Sequence, residues 1–244
     1  MDYIYQKKYN HSNNCNNRNV IKLKKIIFPP IADNKLSQLQ IDPDSYKFIT
    51  FASSAQEITN VIMNSLIDFP CPKGENETTW YNKNLIDKME KLVITEMTAG
   101  VGGNVFSFAK YFKYVNAIEI DDTRYCYLKK NINLYGFCNI NCYNEDSINL
   151  LIRRDDIAQD IVFFDPPWGG SGYKKFDTLR LDFGEYTIEN ICHLLFQREC
   201  TKMIVVKLPN NYDFTYFKTK MNDYRITLTQ LDKMTIIVLK NYNS

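Results

Sequence analysis

Apolar residues fall along this chain in two patterns that alternate. Short, mainly apolar runs at 92–95, 115–118, 140–143, 161–164 and 203–206 mostly end at an acidic or Asn residue, and the last ends at Lys207. Runs so short predict strands, and the wholly apolar one at 161–164 reads as a buried strand. Between them apolar residues recur at helical spacing. One set is Val105, Phe106, Phe108, Ala109 and Phe112; another is Tyr125, Leu128, Ile132 and Leu134, stopped by Gly136. Further helices are predicted at 150–154, 186–197 and 214–221. Strand–helix alternation predicts an α/β fold with a doubly wound, mostly parallel sheet. Two last runs, 226–230 and 235–239, predict a closing antiparallel pair.

The first third of the chain reads differently. Residues 1–20 are polar and Asn-rich with no apolar period, which predicts a mobile tail. Residues 21–90 are expected to form a helical extension ahead of the sheet domain at 91–244. Lys22, Lys24 and Lys25 interleave with Ile21, Leu23, Ile26 and Ile27 before Pro29-Pro30. That segment suits either an arm that contacts phosphates or a piece packed on the domain edge. Ser54 and Glu57 have the spacing of a capping box opening a helix through Ile58, Val61, Ile62 and Leu66. Residues 69–84 read as a loop, and 85–91 as a short amphipathic stretch.

Composition narrows the function. With 244 residues and 45% hydrophobic content the chain can bury a core. A net charge of +2 excludes a broadly basic nucleic-acid coat, so any RNA contact must come from local lysines. The seven cysteines form no C-x-x-C pair and no cluster with His, so reduced thiols and no metal site are expected. No run is long enough to span a membrane and no secretion signal is evident, which predicts an intracellular protein, cytoplasmic or nuclear.

The chemistry gathers at the predicted strand ends, where open α/β sheets bind ligands. The run at 161–164 ends in Asp165-Pro166-Pro167-Trp168-Gly169-Gly170-Ser171-Gly172-Tyr173. Prolines stop the strand and the glycines allow an irregular loop. This suits attack by the exocyclic amine of a nucleobase, a weak nucleophile because its lone pair is delocalised into the ring. Asp165 and the Pro166 carbonyl can accept its two N–H groups, and the Trp168 ring can stack on the base. The alternative is a strand end carrying a structural tryptophan.

The run at 92–95 leads into Glu96 and the glycine loop Thr98-Ala99-Gly100-Val101-Gly102-Gly103-Asn104. Glu119 follows about 20 residues later, where an acid binds ribose hydroxyls. NAD enzymes share that spacing. Three features favour S-adenosylmethionine: Glu96 ahead of the glycines, placed to pair with an amino-acid ammonium; Glu145-Asp146 at the third strand end, near an adenine amine; and the loop at Asp165.

Taken together these blocks resemble the trimethylguanosine synthases, a family of cap-specific RNA guanine-N2 methyltransferases. The resemblance rests on residues 96–104, on Glu119-Ile120-Asp121, on Asn131 with Tyr135-Gly136, and on Pro166-Pro167-Trp168-Gly169-Gly170 with Tyr173, and it covers roughly 41–240. It implies a class I, Rossmann-like methyltransferase fold, S-adenosylmethionine as methyl donor and capped RNA as partner. The cofactor-binding set then expected is Ser54, Glu96, Thr98, Gly100, Gly102, Gly103, Asn104, Glu119, Ile120, Asp146, Ser147 and Asp165. The substrate-binding set is Asn131, Trp168, Tyr173, Lys174, Lys207 and Asn210, with Asp165, Pro166 and Trp168 in the catalytic role.

Two departures stand out. The family usually has Ser before the two prolines, where this chain has Asp165. Aspartate there also occurs in adenine-N6 methyltransferases, which keeps that substrate open. The family's L-P-R-N is here Leu208-Pro209-Asn210-Asn211, so an arginine expected near the cap phosphates is missing at Asn210, with Lys207 or Lys174 as replacements. A further alternative is a cap-binding module that has lost catalysis.

Overall fold

The chain folds around a seven-stranded sheet with order β3-β2-β1-β4-β7-β9-β8. The structure, a computed structural model, describes residues 13–66, 76–154, 157–199 and 201–241. The strands are β1 (Val93–Glu96), β2 (Tyr114–Ile118), β3 (Ile140–Tyr143), β4 (Ile161–Phe164), a two-stranded hairpin of β5 (Asp182–Phe183) and β6 (Tyr186–Thr187), β7 (Met203–Pro209), β8 (Tyr224–Gln230) and β9 (Met234–Asn241). β3, β2, β1, β4 and β7 run parallel, and β9 is antiparallel to both β7 and β8. The chain moves outward from β1 to β2 and β3, then returns to place β4 on the other side of β1. That reversal opens a crevice between the tips of β1 and β4.

β4 shows why the sheet is buried on both sides. Ile161 and Phe163 belong to one apolar cluster, Val162 and Phe164 to the other. Alternate residues of a strand face opposite ways, so each cluster fills one face. One face is covered by α7 (Ser147–Arg153), α8 (Ile188–Gln197) and α9 (Phe214–Lys220). The other takes α5 (Val105–Phe108), α6 (Asp122–Tyr135) and the N-terminal helices α1 (Asn13–Ile27), α2 (Asp33–Leu36), α3 (Ala52–Ser65) and α4 (Glu77–Met89). Ile27, Phe28, Leu36 and Leu39 share one core with Phe106 and Phe163. The N-terminal segment is thus packed into the sheet's own core.

Several elements differ from the sequence expectation. The polar stretch at 13–20 is the first half of α1; residues 1–12 lie outside the described residues. A segment without apolar period gains its helix from the half that packs, where Ile27 is buried. Lys24 serves that packing, its Nζ donating to the Ser37 and Leu39 carbonyls. This places Lys24 on the domain edge, away from any phosphate role. Ser54 and Glu57 form no capping box: α3 begins at Ala52 with Phe51 as N-cap, and Ser54 is already inside its first turn. Part of the expected loop at 69–84 is helical, since α4 starts at Glu77; residues 67–75 lie outside the described residues. α6 ends as expected, with Gly136 at φ 78 accepting the left-handed turn.

Candidate active site

At the end of β1 the Glu96 side chain is fully buried. Its Oε1 accepts from the Thr98 hydroxyl at 2.9 Å and the Thr98 N–H at 3.3 Å, while Oε2 meets no hydrogen-bond partner. Burial pushes the Glu96 carboxyl up to about 8; the Thr98 bonds oppose that, and the nearby charge of Asp165 adds to it. The Thr98 hydroxyl also accepts the Asp165 N–H at 3.0 Å, tying the tips of β1 and β4 together.

The glycine loop is held from β2. Glu119 is 7% exposed and accepts the Gly100 N–H at 2.7 Å and the Asp121 N–H at 2.8 Å. Burial raises the Glu119 pKa, against those two bonds. Gly102 has φ +114, and a Cβ there would sit 2.4 Å from the Phe106 ring. At Gly103 a Cβ would come within 2.9 Å of the Thr50 carbonyl. Both glycines are therefore needed for packing as well as for access to a ligand. Asn104 is buried with Oδ1 unpartnered. Beyond Glu119, Ile120 is 65% exposed, an apolar side chain at a strand tip. Asp146 caps α7 by accepting the Asn149 N–H at 2.8 Å, with Ser147 buried beside it. Asn144, missed in the sequence, donates to the carbonyls of Glu119 and Ile120 and steadies that tip.

The loop after β4 carries the reactive group. Asp165 pairs with Lys207 at 2.5 Å, and the lysine also donates to the Thr50 hydroxyl at 3.0 Å. Burial raises the Asp165 pKa, opposed by Lys207 and by the Trp168 indole N–H. That N–H is buried and completes no hydrogen bond of good geometry. The Trp168 ring is half-buried, with the Lys207 ammonium 5.2 Å from its centroid and Tyr173 packed edge-on at 5.2 Å. Pro166 is buried and Pro167 exposed. Gly169 and Gly170 adopt φ 80 and 64, turning the chain into a 3-10 turn at Gly170–Lys175. Asn211 fastens that turn by donating to the Tyr173 and Phe176 carbonyls at 2.9 and 2.7 Å. Nothing in its local sequence signals this.

The structure brings Glu96, Thr98, Asp165, Trp168 and Tyr173 to the crevice, with Gly100, Glu119 and Ile120 beside it. It does not bring every expected residue. Asn131 is fully buried: it donates to the Gln40 and Val101 carbonyls and accepts the Gln40 N–H. Its amide pins the N-terminal segment to the glycine loop and is no substrate contact. Asn210 holds the β8–β9 turn through Leu231, Asp232 and Thr235. Lys207 is spent on Asp165 and Thr50 and does not reach out as a phosphate anchor. Arg180, a further candidate for phosphate, is bound to Asp213 through two nitrogens and lies over Tyr216. Lys174 is exposed, 5.8 Å from the Tyr173 ring centroid, and Ser54 is half-buried.

Two buried oxygens without partners, Glu96 Oε2 and Asn104 Oδ1, flank a glycine loop whose neighbouring strand carries a ribose-type acid. That set of acceptors fits an amino-acid ammonium joined to a nucleoside. Fold and site together define a class I methyltransferase dependent on S-adenosylmethionine. Residues 91–242 match the family described as RNA cap guanine-N2 methyltransferase, and the chain belongs to it. An uncharacterized protein of Acanthamoeba polyphaga mimivirus is 57% identical over 224 residues, 92% of this chain and 88% of that one. The trimethylguanosine synthase of Schizosaccharomyces pombe is 29% identical over 139 residues, 54% of this chain and 56% of its own length. Among solved structures, a T. thermophilus 16S rRNA N2 methyltransferase in complex with AdoMet and guanosine aligns with TM-score 0.53 at 10% identity, over 83% of this chain and 44% of that one. At that identity the likeness shows the fold alone. Among the described residues no helix is long and apolar enough to cross a membrane.

Proposed function

We propose that this RNA guanine methyltransferase transfers a methyl group to the exocyclic N2 of a 7-methylguanosine cap. The observation that carries the reading is the meeting of Asp165, Trp168 and Tyr173 in the crevice opposite the unpartnered oxygen of Glu96. S-adenosylmethionine would supply an electrophilic methyl on a sulfonium. Glu96, Asn104 and the N–H groups of the glycine loop would hold its amino-acid end, Glu119 its ribose, and Ile120 with Asp146 its adenine. Asp165 accepts an N–H of the guanine amine, which localises the nitrogen lone pair and aims it. As the N–C bond forms, the bond from carbon to sulfur breaks and the nitrogen sheds a proton to Asp165 or water. Trp168 stacks on the base, and Lys174 and Lys175 face the phosphate bridge.

Adenine-N6 methylation is the second reading, favoured by an aspartate ahead of the two prolines. Incubating the protein with labelled cofactor and 7-methyl-GDP, GDP or adenosine oligomers, then identifying the labelled nucleoside, separates them. Label in N2-methylated 7-methylguanosine is expected. Label in N6-methyladenosine, or in none, overturns the cap reading.

A further inference from the structure

All seven residues of β7 are buried, and Lys207 is one of them. An ammonium stays in such a strand only when partners hold it. The partners come from three parts of the chain. Asp165 lies one residue past the last registered pair of β4 and β7, Phe164 with Val206, so Asp165 and Lys207 stand level at the sheet edge. Thr50 reaches in from the segment ahead of α3, and the Trp168 ring lies 5.2 Å away. Lys207 therefore joins the acceptor carboxylate, the stacking indole and the N-terminal segment that covers Gly103.

We propose that Lys207 is a positioning residue for methyl transfer, which keeps Asp165 ionised as the acceptor of the amine N–H and fixes the Trp168 ring beside it. This rests on the nucleobase-amine reading of the site. The titratable groups that face Asp165 are Lys207 from β7 and Glu96 from β1, the latter held mostly protonated by its own burial, while Thr98 holds the Asp165 backbone N–H. Burial works against the Asp165 carboxylate, and Lys207 is the cation that opposes it. Without it Asp165 takes up a proton, and one of its oxygens turns from acceptor to donor. An amine N–H then loses its partner. The lysine and the aspartate therefore function as a pair: losing the lysine neutralises the aspartate, and losing the aspartate strands the ammonium.

The test uses the indole N–H of Trp168, which faces the Asp165 carboxylate. The chain has two tryptophans, so Trp168→Phe assigns the two indole signals in a 1H–15N spectrum of the whole protein. A pH titration of the Trp168 signal should show an inflection that disappears in Asp165→Asn. In Lys207→Met the inflection should rise by about one pH unit or more, the effect of losing one close opposite charge. The acid limb of kcat on 7-methyl-GDP should move up by the same amount, with KM changed less. The double variant Lys207→Met, Asp165→Asn has no charge to strand and should show neither limb nor inflection, and a smaller loss of kcat than the product of the two single losses. If Lys207→Met does not fold, Lys207→Gln is titrated in its place. An inflection and limb that stay put when the lysine is removed overturn the proposal. The indole titration needs no substrate, so a wild-type enzyme that methylates another base or none sinks the cap reading without deciding the fate of Lys207.

Discussion

Cofactor binding should release a proton, because Glu96, the carboxyl proposed to meet the cofactor ammonium, is mostly protonated in the free protein. Burial pushes Glu96 up to about 8. At pH 7 about nine-tenths of the molecules therefore carry that proton, whereas a cofactor α-ammonium with pKa of about 7.7–8.0 is already mostly charged. Forming the ion pair requires Glu96 to ionise and the small neutral fraction of the ammonium to take up a proton, so about 0.8 proton leaves on binding at pH 7. Affinity should then rise nearly tenfold, by about 1.3 kcal/mol, between pH 6 and pH 7, pass through a maximum near pH 8, and fall above it as the cofactor ammonium loses its own proton. The stability of the free protein runs the opposite way. Its folded pKa lies above the ordinary value of 4.5, so the folded state binds more protons than the unfolded one between those two values. Stability is lost as pH rises through that window, by up to about 1.4 kcal/mol per pH unit. Bound cofactor reverses the trend. Calorimetric titration with S-adenosylmethionine in phosphate and in Tris gives the proton count from the difference in apparent enthalpy. Glu96→Gln should release no proton and bind more weakly with a flat pH profile below 7. A wild-type binding enthalpy that does not depend on the buffer refutes the assignment of Glu96 to the ammonium.

Glu119→Ala should weaken cofactor binding and lower the melting temperature, since it leaves two half-buried N–H groups at Gly100 and Asp121 without their carboxylate partner, at about 1 kcal/mol or more each; normal binding would remove the ribose role. Gly102→Val should destabilise the fold itself by driving a side chain into the Phe106 ring, so a thermal melt unchanged from wild type would contradict the packing described. Asp165→Ser should be less active and less stable than the same change combined with Lys207→Met, because the single change leaves an ammonium buried alone; equal activity and equal melting of the two would count against the pair. A 7-methylguanine base should be preferred over guanine by roughly threefold in kcat/KM, the low end of what a cation over an indole gives, since Lys207 already occupies one side of that ring; Trp168→Ala should erase the preference, and a preference that survives it would show that Trp168 is not the stacking partner.

The parts of the site visible in the sequence are those made by local chemistry. Four-residue runs marked β3 and β4 at their observed bounds; β4, buried on both faces, is wholly apolar, whereas β3 at the sheet edge carries an exposed Asn141. Glycines marked the turn after β1 and the stop of α6, because positive φ selects them. The acids at strand tips followed from the same logic. The parts that stayed hidden are polar contacts between distant segments. Asn131 bonds Gln40, and Asn211 bonds Tyr173 and Phe176, across separations that no periodicity records. An asparagine that staples two loops looks the same in sequence as one that waits for a ligand.

Lys207 shows how the two kinds of signal conflict. The run at 203–206 was ended at the lysine, since a charge normally marks where a strand leaves the core. The strand instead continues to Pro209 with Leu208 fully buried. A buried lysine flanked on both sides by core residues carries its own information: a charge that survives there must have an opposite charge within reach. In a sheet that pairs β7 with β4 in parallel, the residue level with it is Asp165. The sequence thus held the two halves of the pair, one at each of two adjacent strand ends, and only the sheet order shows that they meet. That dependence explains why the aspartate ahead of the prolines cannot be judged from its own loop. Whether it acts as an acid or as a carboxylate is settled by a residue 42 positions away, and exchanging the aspartate for a neutral residue is a different experiment with and without that lysine.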